Sequence, residues 1–306
     1  MKQTNRREFL QNAAILVAGA MASYSFDFKK KEPLLAFSTL GCPDWTFQKI
    51  TDFGHEHGYK GIEVRGIQRE LDLPKCKEFS TSESRKATTR IMRDKGLHFV
   101  GLGSSATLHF AGATERKKNL DEGKRFIDLA QEIDCPFVRA FPNNFPKDQE
   151  RSKTIDLITQ GLLELADHAK GSKVSVLMET HGEVVKGEDL LIIMKAAEHK
   201  HSGLVWDISN MWTVTNEQPV DVYQKLKKYI RHTHIKDAKR SGGKLQYTLL
   251  GEGEVPIFDA INVLEKDDYK GYYSFEWEKL WHPELAEPEV AFAHFPTAIK
   301  KHLRTL

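Results

Sequence analysis

The chain has 306 residues, 40% of them apolar, with 45 Lys and Arg against 43 Asp and Glu. Its length suits one large α/β barrel better than two small domains, and its composition excludes a disordered or fibrous chain. Residues 1–22 contain Lys2, Arg6, Arg7 and Glu8, which leaves 42 basic and 42 acidic residues beyond them. That neutral balance argues against a nucleic-acid binder.

Residues 1–22 read as an export signal peptide. A charged start, Asn5-Arg6-Arg7-Glu8-Phe9-Leu10, precedes a short apolar stretch from Asn12 to Gly19 and the small-residue ending Ala20-Met21-Ala22. The arginine pair resembles a twin-arginine signal, which predicts a periplasmic or otherwise exported protein with no membrane contact once the signal is removed. Residues 23–33 read as a linker, with Lys29-Lys30-Lys31 ahead of Glu32-Pro33.

From 34 to 306 the chain alternates apolar, strand-length runs with helical patterns. The runs are Leu34 to Leu40, Gly61 to Arg65, Leu97 to Leu102, Pro136 to Ala140, Val174 to Met178, Leu204 to Trp206, Tyr229 to Ile235 and Tyr272 to Phe275. Between the third and fourth, Phe126, Leu129, Ala130 and Ile133 recur at helical spacing. Between the fourth and fifth, Ile155, Ile158, Leu162, Leu165 and Ala169 do the same, with Gly171 as the stop. Eight such units predict a single closed (β/α)8 barrel, of the TIM type, in the α/β class. No GxGxxG follows the first run, so a dinucleotide-binding sheet lacks its marker. The three cysteines, Cys42, Cys76 and Cys135, are scattered and read as buried thiols rather than a disulfide framework.

Four of these runs end in a residue that can hold a metal. Glu179 closes the fifth, Asp207 the sixth, and Glu276 the eighth, while His234 lies in the seventh. A parallel barrel gathers its strand ends at one mouth. Three carboxylates there repel one another unless a cation neutralises them. Glu179, Asp207, His234 and Glu276 are therefore candidate ligands of one divalent ion. Three oxygens and one imidazole suit Mn²⁺ above all, with Mg²⁺, Co²⁺ or Zn²⁺ as alternatives. Glu179 and Glu276 are also the candidate catalytic bases, each with a second oxygen to spare. Glu63, Arg139, His181, Asn210, Lys236, Arg240 and Glu252 are candidate substrate contacts around the mouth, and Arg65 ends the second run beside Glu63. Trp45, Trp212, Trp277 and Trp281 are candidate stacking surfaces for a sugar.

The strings Glu179-Thr-His, Asp207-x-x-Asn210, His232-x-His234-Ile-Lys-Asp237, Gly251-Glu252-Gly253 and Phe275-Glu276-Trp277-Glu278 resemble the xylose-isomerase-like barrel superfamily, often labelled sugar phosphate isomerase/epimerase. The resemblance covers the chain from about residue 34 and implies the same four ligands. Asn210 stands where the ketose 3-epimerase branch carries a His, and Val185 where it carries a substrate-binding Glu. Arg240 matches that branch's arginine. The resemblance implies a metal-dependent isomerase or epimerase acting on a small carbohydrate through a metal-stabilised enediolate. A lyase or hydratase acting on 3-keto-glycosides is the alternative, because both reactions begin with the same proton abstraction. A non-catalytic sugar-binding barrel is a further alternative. The superfamily's endonucleases would need a basic face that this chain lacks. The sequence leaves a homo-oligomer open.

Overall fold

Each of the eight predicted runs is a strand in the computed structural model, which describes residues 32–305. In chain order they are β1 (Leu35–Ser38), β2 (Gly61–Val64), β3 (His98–Thr107), β4 (Phe137–Phe141), β5 (Ser175–Glu179), β6 (Ser202–Asp207), β7 (Ile230–Ile235) and β10 (Tyr273–Phe275). They pair in parallel round a closed barrel in the order β1, β10, β7, β6, β5, β4, β3, β2. The predicted export signal and most of the predicted linker lie outside the described residues.

Nine α-helices are present among the described residues: α1 (Phe47–Glu56), α2 (Ser82–Asp94), α3 (Ala113–Glu132), α4 (Arg151–His168), α5 (Gly187–Ala196), α6 (Ile208–Thr215), α7 (Pro219–Leu226), α8 (Ile257–Lys266) and α9 (Pro288–Leu303). Local chemistry sets their ends. Thr46 caps α1 by accepting the Lys49 N–H, and Thr81 and Ser84 form a capping box on α2. Gly171 adopts φ +83°, as expected of the residue that turns the chain out of α4. The periodic apolar faces of α3, α4, α8 and α9 bury Phe126, Leu162, Leu165, Ile261, Phe292 and Phe295 against the outward faces of the strands. Each such burial stabilises the fold by about 1.5–3 kcal/mol.

Two departures from the sequence reading matter at the mouth. Strand β3 runs five residues beyond the predicted end at Leu102, and the Ser104 hydroxyl donates to the Arg139 carbonyl at 2.6 Å. After β7 the chain also forms an unpredicted antiparallel hairpin, β8 (Asp237–Ser241) with β9 (Lys244–Thr248). Its turn residues Gly242 and Gly243 both have positive φ, 57° and 78°, which glycine adopts without strain.

Strand register fixes which side chains share a layer. Asp207 pairs with His234, and His234 with Ser274, so Glu276, two residues past Ser274, faces the same interior. On the other side Ser38 pairs with Glu63, and Glu63 with Gly101. The inside of the barrel is thus polar, and the apolar core is the ring between strands and helices.

Candidate metal centre

Glu179, Asp207 and His234 are delivered by the C-terminal ends of β5, β6 and β7, and Glu276 follows β10 by one residue. All four are buried, and one ligand atom from each lies within 4.8 Å of the others. His234 Nδ1 is the hub, 3.3 Å from Glu276 Oε1, 3.5 Å from Glu179 Oε1 and 3.7 Å from Asp207 Oδ2. Donors about 2.0–2.2 Å from a common cation are separated by roughly such distances. Neither His234 Nδ1 nor Asp207 Oδ2 makes a hydrogen bond. A buried polar atom without a hydrogen bond costs about 1–3 kcal/mol, and only Asp207 Oδ2 has a cation nearby, Lys236 Nζ at 2.8 Å. A divalent cation would satisfy both atoms at once, so these residues fit one.

Asp207 reaches the centre because of where its helix begins. It is the N-cap of α6: Oδ1 accepts the Asn210 N–H at 2.8 Å, which turns Oδ2 to the cluster. His234 is set from below. Its Nε2 lies 3.0 Å from both oxygens of Glu63, whose Oε2 also takes a 2.9 Å contact from His232 Nε2 and a 3.0 Å hydrogen bond from Ser274 Oγ. With the Nε2 proton donated to Glu63, Nδ1 presents its lone pair to the centre. Burial opposes the charge on Glu63, but His234 and His232 hold its pKa well below the usual carboxylate range. Glu63 was expected among the substrate contacts. It lies instead one layer beneath the mouth, with both oxygens committed, and orients His234.

Cations occupy the far oxygens of the carboxylates. Arg139 donates to Glu179 Oε2 at 3.0 Å. Lys236 donates to Glu276 Oε2 at 2.6 Å and to Glu278 Oε1 at 2.7 Å. Its ammonium also sits 2.8 Å from Asp207 Oδ2, at ion-pair distance without hydrogen-bond alignment. Burial and the nearby charge of Glu276 work against ionisation of Glu179, yet Arg139 and His234 hold its pKa down. Glu276 is likewise lowered: burial opposes, and His234 and Lys236 prevail. For His234, burial disfavours the charged ring but Glu276, Glu63 and Glu179 raise its pKa well above the ordinary imidazole value. The spare oxygens expected on Glu179 and Glu276 are therefore already engaged.

Of the other predicted contacts, Arg139, Lys236 and Asn210 meet the cluster, the last through Nδ2 at 3.4 Å from Glu179 Oε1. His181 stands two residues past Glu179, with Nδ1 held by Asn143 Oδ1 at 2.8 Å and its ring 4.5 Å from that of Phe141. Arg240 and Glu252 are exposed on the hairpin side. Arg240 donates to Thr213 O and Asn216 Oδ1 and lies over the Trp212 ring rather than in the cluster. Trp45 and Trp277 are buried, and Trp281 is exposed. The sequence reading gave no role to Asp237, Asn143 or Glu278. Asp237 gathers the N–H groups of Ala238, Gly251, Gly253 and Val255, so it anchors the Gly251-Glu252-Gly253 loop. That cluster of donors follows from the Asp-then-Gly-x-Gly order, which was visible in the string but not its closure.

Comparison with known proteins places this geometry in context. A family model described as a xylose isomerase-like TIM barrel matches residues 52–295. A 3-dehydroshikimate dehydratase of Bacillus anthracis is 24% identical over 253 residues, covering 76% of this chain and 85% of that one. An inosose dehydratase of Clostridium botulinum is 21% identical over 285 residues, covering 81% and 91%. The fold is shared with a xylose isomerase-like TIM barrel protein of Mycobacterium smegmatis in complex with magnesium, at a TM-score of 0.66 and 17% identity over 90% of this chain and 97% of that one.

Proposed function

Because the chain belongs to the xylose isomerase-like TIM barrel family, we propose that it is a divalent-metal-dependent lyase that removes water from a cyclic polyhydroxylated ketone. The observation that carries this reading is the pairing of Glu179 with Arg139 and of Glu276 with Lys236. Epimerisation by two carboxylates requires an uncommitted base on each face of the substrate. Here both carboxylates have their far oxygens clamped by buried cations and their pKa values lowered, which makes them ligands rather than bases. An epimerase would have to withdraw one of those cations first. Two curated relatives with dehydratase names, each matched over about three-quarters or more of this chain, agree with the lyase reading.

Glu179, Asp207, His234 and Glu276 would hold the cation, with Mn²⁺ or Mg²⁺ as the occupant suited to three oxygens and one nitrogen. When bound, such an ion polarises the ketone oxygen and stabilises the enediolate formed on proton loss. His181 is the base in this reading. Asn143 Oδ1 accepts its Nδ1–H, an orientation supported by Asn143 Nδ2 donating to Thr107 Oγ1, so Nε2 carries the lone pair that takes the proton beside the carbonyl. The C–H electrons become the new double bond and the β-carbon–oxygen bond breaks. His181 then delivers that proton to the departing hydroxide, which leaves as water, while the negative charge developing there is offset by the positive charge of Lys236 Nζ. Burial disfavours that charge, but Asp207, Glu276 and Glu278 keep the ammonium protonated. The exported, unphosphorylated setting expected from residues 1–22 remains part of the proposal.

The test is to load the purified full chain with Mn²⁺ and incubate it in D₂O with 3-dehydroshikimate, with an inosose and with a free ketose, following products by NMR. Dehydration of a cyclic ketone is the expected result. Deuterium incorporated into an epimerised ketose, with no dehydration, would overturn the reading.

A further inference from the structure

Among the described residues the barrel buries three lysine or arginine side chains, Arg65, Arg139 and Lys236. Arg139 pairs with Glu179, and Lys236 touches three carboxylates. Arg65 is only 6% exposed and has no carboxylate within ion-pair distance. Its guanidinium donates to the Gly103 carbonyl at 3.2 Å and to Ser105 Oγ at 2.9 Å. Glu122 lies behind that contact, but its Oε1 accepts the Ser105 N–H at 2.6 Å. A buried guanidinium without a salt bridge is costly and is retained where something else requires it.

The backbone is shaped around this residue. Arg65 follows Glu63 by two residues and so faces the same interior. Register pairs Gly103 with Arg139. A Cβ on Gly103 would lie 2.7 Å from Arg139 Nη2 and 2.7 Å from Arg65 Cδ. Only glycine lets the two stems converge. Two guanidinium groups brought side by side repel, and Arg139 Nε is buried with no hydrogen-bond partner. Burial, then the neighbouring Arg139, pulls the Arg65 pKa down to about 10 against the opposing pull of Glu122, Glu179 and Glu276.

We propose that Arg65 and Arg139 form a carboxylate-binding subsite beside the metal centre, and that the substrate carries one carboxylate. The inference rests on the dehydratase reading for what is bound there. Glu179 already pairs with Arg139, whereas Arg65 has no salt bridge, and a carboxylate offers it two coplanar oxygens that fit the guanidinium fork. A phosphate would bring surplus negative charge, and a sugar hydroxyl would bring none. Of the two cyclic ketones tested above, the acidic 3-dehydroshikimate fits the subsite and the neutral inosose does not.

Calorimetry on the Mn²⁺-loaded full chain tests the subsite without requiring turnover. The probes are 3,4-dihydroxybenzoate, its neutral amide and inorganic phosphate. The wild type should bind the carboxylate at least ten-fold tighter than the amide and tighter than phosphate. Arg65→Met should erase the preference for carboxylate over amide, and Arg65→Lys should restore part of it. Equal binding of acid and amide by the wild type, or a preference that survives in a folded Arg65→Met variant, would overturn the proposal. So would tighter binding of phosphate. A carboxylate preference without turnover defeats the dehydratase reading alone. Dehydration of the inosose with no carboxylate preference defeats the subsite alone.

Discussion

The mouth of this barrel has two unlike halves. Strands β5, β6, β7 and β10 supply Glu179, Asp207, His234 and Glu276, all converging on one point. The opposite half, β2 to β4, supplies Arg65, Gly103 and Arg139. The first half carries more negative charge than its own residues neutralise, and the second holds a buried guanidinium without a salt bridge. Arg139 bridges the two by pairing with Glu179 across the β4–β5 boundary. The contrast teaches what each half lacks: a cation in one, an anion in the other.

The largest effect separating the halves should come from the metal ligands. Glu276→Gln or His234→Ala should lower turnover by about a thousand-fold or more, since a bound cation contributes several kcal/mol of transition-state stabilisation. Steady-state rates with added Mn²⁺ check this, and circular dichroism checks the fold. Next comes the bridge. Arg139→Met leaves the buried Glu179 Oε2 without its cation, so urea denaturation of the metal-free protein should show a loss of about 3–5 kcal/mol. Arg65→Met, only one strand pair away, should cost clearly less, because Arg65 donates only to the Gly103 carbonyl and the Ser105 hydroxyl and forms no salt bridge. Equal losses for the two arginines would erase the distinction between the halves. Below these, Glu63→Gln should weaken metal binding by about 10–100-fold through misorientation of His234, readable by competition with a chelator.

Acidity sharpens the same comparison. The folded-state pKa of His234 is raised, so the stabilisation from its charged ring is fully present below the unfolded imidazole pKa and is lost as pH rises through the folded value. The metal-free protein should therefore lose stability on the alkaline side. Metal must displace that proton from Nδ1, so apparent metal affinity should fall as pH is lowered. Chelator titrations at several pH values measure this directly. The smallest effect lies outside both halves: Gly243→Ala strains the hairpin turn at φ 78° and should cost about 1 kcal/mol, seen as a lower thermal midpoint.

Much of this was legible in the chain. Alternation of apolar runs and helical faces gave eight strands, and a carboxylate or imidazole at the end of each of the last four located the centre. Depth was not legible. A period of two tells which face Glu63 takes but not its height in the barrel, which depends on register and stagger between strands. Glu63 was thus expected at the mouth, whereas it lies under His234. Engagement was not legible either: nothing in the string Phe275-Glu276-Trp277-Glu278 reveals that Lys236 reaches both carboxylates. The hairpin escaped notice because its strands are short and largely exposed, and only β9, Lys244-Leu245-Gln246-Tyr247-Thr248, alternates apolar and polar residues. Gly242-Gly243 was the other signal. Arg65 was seen as a strand end, but its lack of a salt bridge is a property of three-dimensional neighbours.

The central claim is one divalent cation held by Glu179, Asp207, His234 and Glu276. Elemental analysis after Mn²⁺ loading and dialysis tests it most directly. About one ion per chain in the wild type and almost none in a folded His234→Ala variant is the predicted result; no bound metal in the wild type, or a full equivalent retained by the variant, would contradict it.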